Sequence, residues 1–478
     1  MIKETIIDPN VSIVLLILVS VFFAFIGIFF TTKINNKNSY LNANRNIGSY
    51  SLTTSFVASA LGTWILFGPS SAATWGGLGA VVGYSLGTAF PLLILIFFGK
   101  KIRTLLPKGN TLTEFMKKKF GIKIFKFVFS LMIFYMMVFL CAEVTALSTL
   151  INFISNIPLW ISAVIVLITT LVYTFHGGLK SSIFTDNIQF IFIIVLLFIC
   201  FVNAITINEN NFALNHIYEK NHLLLSSKNL VNYTAGFTFF IAVAATNLFH
   251  QGNWQRVFAA KNYYVLKKSL ITSFLIIVPI VFLMGMSGLV AISNNENVNP
   301  DLAFFSLFLS KNNYFFAIII LILAISLTMS TLDTLINAIS SLLVVDGKYF
   351  LNSKKISINS SKIILVALSI IVLFVASKGY SILYLFLLAD LFCCAAVVGV
   401  FSSFKLKNIS EKRVICMILC GLICGLLLFP SPQFDKSFLV GVIFEKSFFP
   451  NLIIQNLLFF SFLFATTAPI FFVLKKFE

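Results

Sequence analysis

Polar groups stranded inside apolar runs are the residues in this chain whose chemistry is out of place. Of its 16 acidic residues, Glu143, Asp186, Asp333 and Asp390 fall within long apolar stretches. A charged side chain at a bilayer centre costs roughly 2.5–3.5 kcal/mol on insertion scales, so each is expected to face the interior of a helical bundle. The run 326–341 is the most informative. Ser326, Ser330, Asp333, Asn337 and Ser340 recur at helical spacing and form one polar stripe, flanked by Thr331 and Thr334. Hydroxyl oxygens and a carboxylate on one face can complete the shell of a hard cation. Single Ser and Thr hydroxyls in membranes also bond back to their own helix carbonyls. That habit does not account for a stripe of this length with an aspartate in it.

A second donor set comes from residues 58–77, which are apolar enough for a bilayer but interrupted by Gly62, Gly68-Pro69 and Gly76-Gly77. Glycine permits non-helical backbone, and Pro69 removes a donor and clashes with the preceding turn. A helix broken in hydrocarbon must have its freed amides and carbonyls satisfied by protein, water or an ion. Freed carbonyls suit a small hard cation, and the ends of the half-helices add partial charge for a substrate. The expectation is therefore a discontinuous helix holding an ion at the midplane. The alternative is a packing helix whose small residues let neighbours approach closely.

Other candidates are less specific. Asp186 lies in His176-Gly-Gly-Leu-Lys-Ser-Ser-Ile-Phe-Thr-Asp186-Asn-Ile-Gln189, where Gly177-Gly178 reads as a turn; it could equally cap a helix starting near Thr185. Glu143 could carry a proton, pair with an amine or be a hydrogen-bonded structural acid. His250 reads as a satisfied structural histidine. All seven cysteines sit in apolar runs, which fits packing thiols and excludes an extracellular disulfide framework. No transition-metal motif and no nucleophile–base constellation is present, so an enzyme is not expected.

The elements that must position these groups are transmembrane helices. The 478 residues are 59% hydrophobic and 10% charged, against about 25% charged in soluble domains, which makes this an integral membrane protein. Thirteen spans are expected, at about 11–31, 51–75, 78–99, 124–151, 158–176, 184–207, 230–251, 264–293, 313–345, 360–378, 381–403, 412–429 and 453–474. The first is too long for a signal h-region. With the N-terminus outside, 25 of the 34 Lys and Arg fall on inward segments and 7 on outward ones. That bias predicts an N-terminus outside and a C-terminus in the cytoplasm, and it accounts for the net charge of +18 without nucleic acid. The connection 429–452, with Pro430, Pro432 and Pro450, is expected at the outer interface. The second and seventh spans each carry a break and each begin a group of five, which points to an inverted-repeat transporter. The expected class is all-α, one transmembrane domain over 1–478: repeat one about 51–207, repeat two about 230–403, and extra helices 11–31, 412–429 and 453–474.

Three stretches carry a resemblance: Gly177-Gly178-Leu-Lys…Thr185-Asp186-Asn-Ile-Gln189, Gln255-Arg256-Val-Phe-Ala-Ala-Lys261 and Ser330-Thr331-Leu-Asp333. Together they make the chain resemble the sodium:solute symporter family over nearly its whole length, which implies the LeuT-type fold of two inverted five-helix repeats with two broken helices. The resemblance implies a sodium site formed by the carbonyls of Ala58, Leu61 and Leu327 and the hydroxyls of Ser330 and Thr331. Some members of the family bind a second cation, and the residues matching its ligands here are Asp186, Asp333 and Thr334, with Asp333 standing where those members carry a hydroxyl. Substrate contacts carried over by position are Gly62, Thr63, Trp64, Leu140, Glu143, Val243 and Asn247. Ala60 replaces an acidic residue of the proline-type members, and Val243 and Asn247 replace their aromatic pair, so proline does not fit. The segments around Pro69, Glu143 and Asp186 look more like members known as urea active transporters.

The resemblance thus implies a sodium-coupled symporter of the plasma (cell inner) membrane that imports a small polar organic solute, urea-like or amino-acid-like, by alternating access. Its partners would be the solute, Na+ and lipid, with no nucleic acid. The rivals are a proton-coupled symporter using Glu143 or Asp333, and a transporter-like solute sensor.

Overall fold

The computed structural model describes residues 5–29, 37–207, 214–309, 314–350, 356–404, 409–432, 437 and 456–474. In order, the helices are α1 (Pro9–Phe29), α2 (Lys37–Asn42), α3 (Ser49–Ala60), α4 (Gly68–Leu105), α5 (Leu112–Phe120), α6 (Ile122–Ser155), α7 (Leu159–Ile207), α8 (Leu214–Leu225), α9 (Leu230–Phe249), α10 (Gln251–Ala259), α11 (Tyr263–Asn294), α12 (Ala303–Phe308), α13 (Tyr314–Phe350), α14 (Ile358–Ala376), α15 (Ile382–Phe401), α16 (Glu411–Leu428), α17 (Leu457–Thr467) and α18 (Ile470–Leu474). Short 3₁₀ turns at Ala43–Arg45, Thr63–Leu66, Pro300–Leu302 and Ser402–Phe404 complete the described elements.

Eight of the described helices are each long and apolar enough to cross a bilayer, against thirteen expected spans. The difference has physical reasons. α4 and α7 each hold two expected segments end to end, joined at Gly77 (φ 60°) and Gly178 (φ 55°), a backbone region that glycine enters without penalty. The second expected span is divided into α3, the Thr63–Leu66 turn and the start of α4. α9 carries two asparagines and three threonines, and α16 opens on Glu411, Lys412 and Arg413. Most of the 429–452 connection, including Pro450, lies outside the described residues, as does the beginning of the last expected span.

Burial ranks the helices. In α13, 78% of the apolar stretch is buried inside the protein, against 17% in α14, so α13 is an axis of the bundle and α14 faces outward. α13 packs on α7 and α6, and α4 packs on α9 and α11. The Thr111 hydroxyl and the Glu114 carboxylate form a reciprocal cap that starts α5. Thr111 and Thr113 donate to Asp346 at 2.7 and 2.6 Å, which pins α5 to the end of α13.

Candidate functional site

The chain leaves the helix between α3 and α4. α3 ends at Ala60, Leu61 turns out of helical geometry (φ −94°, ψ 82°) and Gly62 is extended. Pro69 then sits in the first turn of α4, where its missing N–H is harmless. Thr63 and Trp64 send their amides to the buried Glu143 carboxylate at 2.8 and 3.4 Å instead of back along α3. A Cβ at position 62 would collide with that carboxylate, so a larger residue there would have to displace Glu143. Among the described residues, the amide bonds crossing the interruption stop at Leu61 N–H to Val57 O. The carbonyls of Ala58 to Leu61 therefore lack amides from a next turn.

This interruption lies against the polar stripe of α13. The Thr63 hydroxyl donates to the Ala324 carbonyl at 3.0 Å and meets the Thr328 hydroxyl. One turn further along α13 come Leu327, Ser330 and Thr331, all fully buried, as are Ala58 and Leu61. Ser330 donates to Asp186 Oδ1 at 2.6 Å, while the Thr331 hydroxyl is buried without a hydrogen-bond partner among the described residues. Such an orphan is costly in an apolar interior unless another species meets its lone pairs. Carbonyls freed at a helix end and hydroxyls on an intact helix are both kinds of oxygen that suit an alkali cation.

Asp186 does not cap a helix: α7 is regular from Leu179 onward, so the carboxylate lies two turns into it. It accepts from Ser55 Oγ at 2.5 Å and forms a fully buried ion pair with Arg256 at 2.9 Å. Arg256 also donates to Ser55 at 2.7 Å, Thr334 at 2.8 Å and the Gly252 carbonyl at 3.2 Å. Asp333 is caged by hydroxyls, from Ser182 at 2.7 Å, Tyr173 at 2.9 Å, Thr185 at 3.1 Å and Thr334 at 3.4 Å. The three residues of the expected second cation site are thus brought together, with a guanidinium among them.

The second interruption is at His250, extended between α9 and α10 (φ −69°, ψ 106°). Its freed carbonyls find side chains: Asn253 donates to Asn247 O at 3.1 Å and Trp254 Nε1 to Leu248 O at 2.8 Å. Between the two interruptions runs a cavity lined by Ser59, Trp64, Tyr84, Thr88, Tyr135, Phe139, Val243, Thr246, Asn247, His250, Phe386 and Asp390, among others. Trp64 stacks on Tyr84 (centroids 5.5 Å apart), and Phe139 meets Phe386 edge-on at 5.0 Å. Asp390 accepts from Thr246 at 2.7 Å and forms no ion pair among the described residues.

Of the expected substrate contacts, Trp64, Val243 and Asn247 line this cavity; Gly62, Thr63, Leu140 and Glu143 are not among its lining residues. Glu143 faces the backbone of the interruption instead, as the hydrogen-bonded acid that was one of its three readings. Asp390, Tyr135, Phe139 and Phe386 come from helices far apart in the chain, so no local spacing marked them as one site. Asp390 was readable only as an interior acid, and Arg256 only as part of a motif.

The comparisons agree with this architecture. The sodium:solute symporter family model matches residues 40–407. The spermidine transporter DUR31 of Candida albicans is 27% identical over 383 residues, covering 78% of this chain and 71% of that protein. The mouse sodium/glucose cotransporter 4 is 28% identical over 215 residues, 41% of this chain but only 30% of the longer relative. The sodium/proline symporter of Haemophilus influenzae is 29% identical over 174 residues, 34% of each. These names lend the urea-like expectation no support. In structure, the chain matches a Na+-coupled sialic acid symporter in a substrate-bound outward-open state, with TM-score 0.73 at 15% identity over 96% of both chains. It also matches the nucleobase-cation-symport-1 transporter MHP1, with TM-score 0.54 at 16% identity over 92% of this chain and 96% of that one. Those likenesses give the fold: all-helical, LeuT-type, with α3–α4 and α9–α10 as its two broken helices. With the family model spanning most of its length, the chain belongs to the sodium:solute symporter family.

Proposed function

We propose that this chain is a secondary transporter in which inward movement of Na+ drives uptake of a small organic amine through the cavity between the two interruptions. What supports the sodium assignment is the set of carbonyls at Ala58–Leu61 that, among the described residues, have no backbone amide partner, on a stretch tied to α13 through Thr63 with Thr328 and through Asp186, which accepts from both Ser55 and Ser330. On this reading the ligands are the carbonyls of Ala58, Leu61 and Leu327 and the hydroxyls of Ser330 and Thr331. One charge crossing the membrane releases about 2.3 kcal/mol per 100 mV before any concentration term. The two groups of five helices, about 51–207 and 230–403, would rock about these sites, in a plasma membrane with the N-terminus outside.

The amine assignment replaces the urea-like or amino-acid-like solute. It rests on a carboxylate, Asp390, that has no ion pair among the described residues, in a cavity walled by Trp64, Tyr84, Tyr135, Phe139 and Phe386. A carboxylate and aromatic faces together suit a cation, through charge pairing and attraction to the ring faces. The name of the Candida albicans relative supports the same class. The test is uptake of radiolabelled spermidine into proteoliposomes, beside urea, proline and glucose, with pH and membrane potential clamped. An inward sodium gradient should concentrate the amine. Uptake that follows a proton gradient and ignores sodium would overturn the coupling, and uptake of the neutral solutes alone would overturn the amine.

A further inference from the structure

Past the proposed sodium ligands, the polar stripe of α13 continues along the helix and meets α10. Ser330, Thr334, Asn337 and Ser341 recur at helical spacing on one face of α13. α10 lies along that face: Arg256 donates to Thr334 at 2.8 Å, Gln255 to the Asn337 carbonyl at 3.4 Å and Gln251 to the Ser341 hydroxyl at 3.3 Å. Every one of these residues is 2% exposed or less. We propose that this seam between α10 and α13 is the route by which sodium leaves its site, with the side chains of Asn337 and Gln255 as its ligands on the way.

Unmet polar atoms mark the route. Among the described residues, neither Oδ1 nor Nδ2 of Asn337 has a hydrogen-bond partner, and Gln255 Oε1 has none either. Buried polar atoms left unmet are costly, and water or a hydrated ion passing between them relieves that cost. The two amide oxygens are of the carbonyl type that suits an alkali cation. The seam also begins at the right place. Ser330 is a proposed sodium ligand, and Asn337 follows it two turns on, about 10 Å along the axis at about 1.5 Å per residue. Arg256 borders this stretch, but Asp186 takes up its charge at 2.9 Å.

The far end of the seam, which the proposed topology places in the cytoplasm, is held by side-chain amides of α10. Gln251 donates to the Asn110 carbonyl at 3.0 Å and accepts the Leu112 amide at 3.4 Å, and Gln255 donates to the Leu41 carbonyl at 3.2 Å. These are neutral hydrogen bonds, each of small net strength. α10 directly follows the second interruption, so a swing of this short helix about His250 breaks them together and opens the seam.

The inference rests on the sodium reading above. In proteoliposomes, net uptake of radiolabelled spermidine requires sodium to leave inward, whereas spermidine exchange with saturating sodium on both sides does not. Asn337→Leu keeps the size of the side chain and removes its polar atoms. It should slow net uptake about tenfold, the scale of one lost polar contact, and leave exchange at the parent's rate. A folded variant that slows both equally, or neither, would overturn the route and leave symport standing. Parent uptake that ignores sodium would overturn the symport reading itself and the route with it. A second measurement needs no solute: labelling of Asn337→Cys by aminoethyl methanethiosulfonate, a small thiol-reactive cation that travels through water. None of the native cysteines lies in the seam, so labelling above the parent's level is expected. A folded Asn337→Cys that stays at the parent's level would overturn the route. Should the parent not take up spermidine, or the Leu variant not fold, this labelling decides alone.

Discussion

Replacing Asp390 by Asn separates charge from shape in the solute cavity. Asp390 is 5% exposed on α15, and its Oδ1 accepts the Thr246 hydroxyl at 2.7 Å. An amide oxygen can accept the same bond, so the wall of the cavity keeps its form. What disappears is the sole carboxylate among the cavity's described lining residues. Truncating one partner of a buried, hydrogen-bonded charge pair costs about 2–5 kcal/mol. The aromatic faces stay and still contribute about 0.5–2 kcal/mol to holding a cation. The lower end of the first range applies, since the cavity retains some access to water. About 2 kcal/mol at 1.4 kcal/mol per decade is a rise of about thirtyfold in KM for spermidine. The assay is initial-rate uptake in proteoliposomes at a fixed inward sodium gradient, with the half-saturating sodium concentration measured on the same preparation. KM should rise by that factor while the sodium dependence barely moves. A variant that takes up spermidine with the parent's KM would refute the role of the carboxylate, and with it the choice of an amine.

Other expectations concern the frame around the sites. Glu143→Gln replaces the carboxylate that receives the amides of Thr63 and Trp64. Losing hydrogen bonds to a buried charged acceptor, worth about 1.5–3 kcal/mol, should lower the melting temperature in detergent, and an unchanged melt would argue against the capping role. Asn247→Ala removes a cavity-lining side chain that bonds back to Val243 O at 3.0 Å; it should shift solute selectivity with little change in stability, and parent-like kinetics would remove it from the site. At the cap before α12, burial raises the Asp301 pKa above its ordinary value of 3.8, with the Ser71 hydroxyl acting the other way. A carboxyl raised in the folded state contributes most below that ordinary value and loses its contribution as pH climbs through the raised one. Asp301→Asn, neutral throughout, should therefore slow hydrogen exchange across 300–308 at neutral pH; faster exchange would contradict the sign.

The place of the first interruption was legible because Gly62 and Pro69 are local backbone facts, and the end of the seventh span was legible through its polar run. The burial of Glu143, Asp186, Asp333 and Asp390 was legible too, since an acid in an apolar span has few other places to go. Partnerships were not. Arg256 meets Asp186 across 70 residues and Thr246 meets Asp390 across 144, and helical periodicity says which face a residue occupies, not which helix lies opposite. Glu143 shows the limit most clearly. Its type suited proton transfer, amine binding or capping equally, and only the neighbouring amides of Thr63 and Trp64 distinguish them. The span count was blurred where Gly77 and Gly178 let one helix turn directly into the next.

The proposed coupling requires an alkali ion between the end of α3 and the middle of α13, and Thr331→Val addresses that contact with the least disturbance. Valine matches threonine in shape, and among the described residues the Thr331 hydroxyl has no hydrogen bond to lose. Loss of one oxygen ligand to a cation, at about 1.5 kcal/mol, should raise the half-saturating sodium concentration for uptake about tenfold, with the melting temperature unchanged. The same half-saturating concentration in parent and variant would mean that the ion binds elsewhere.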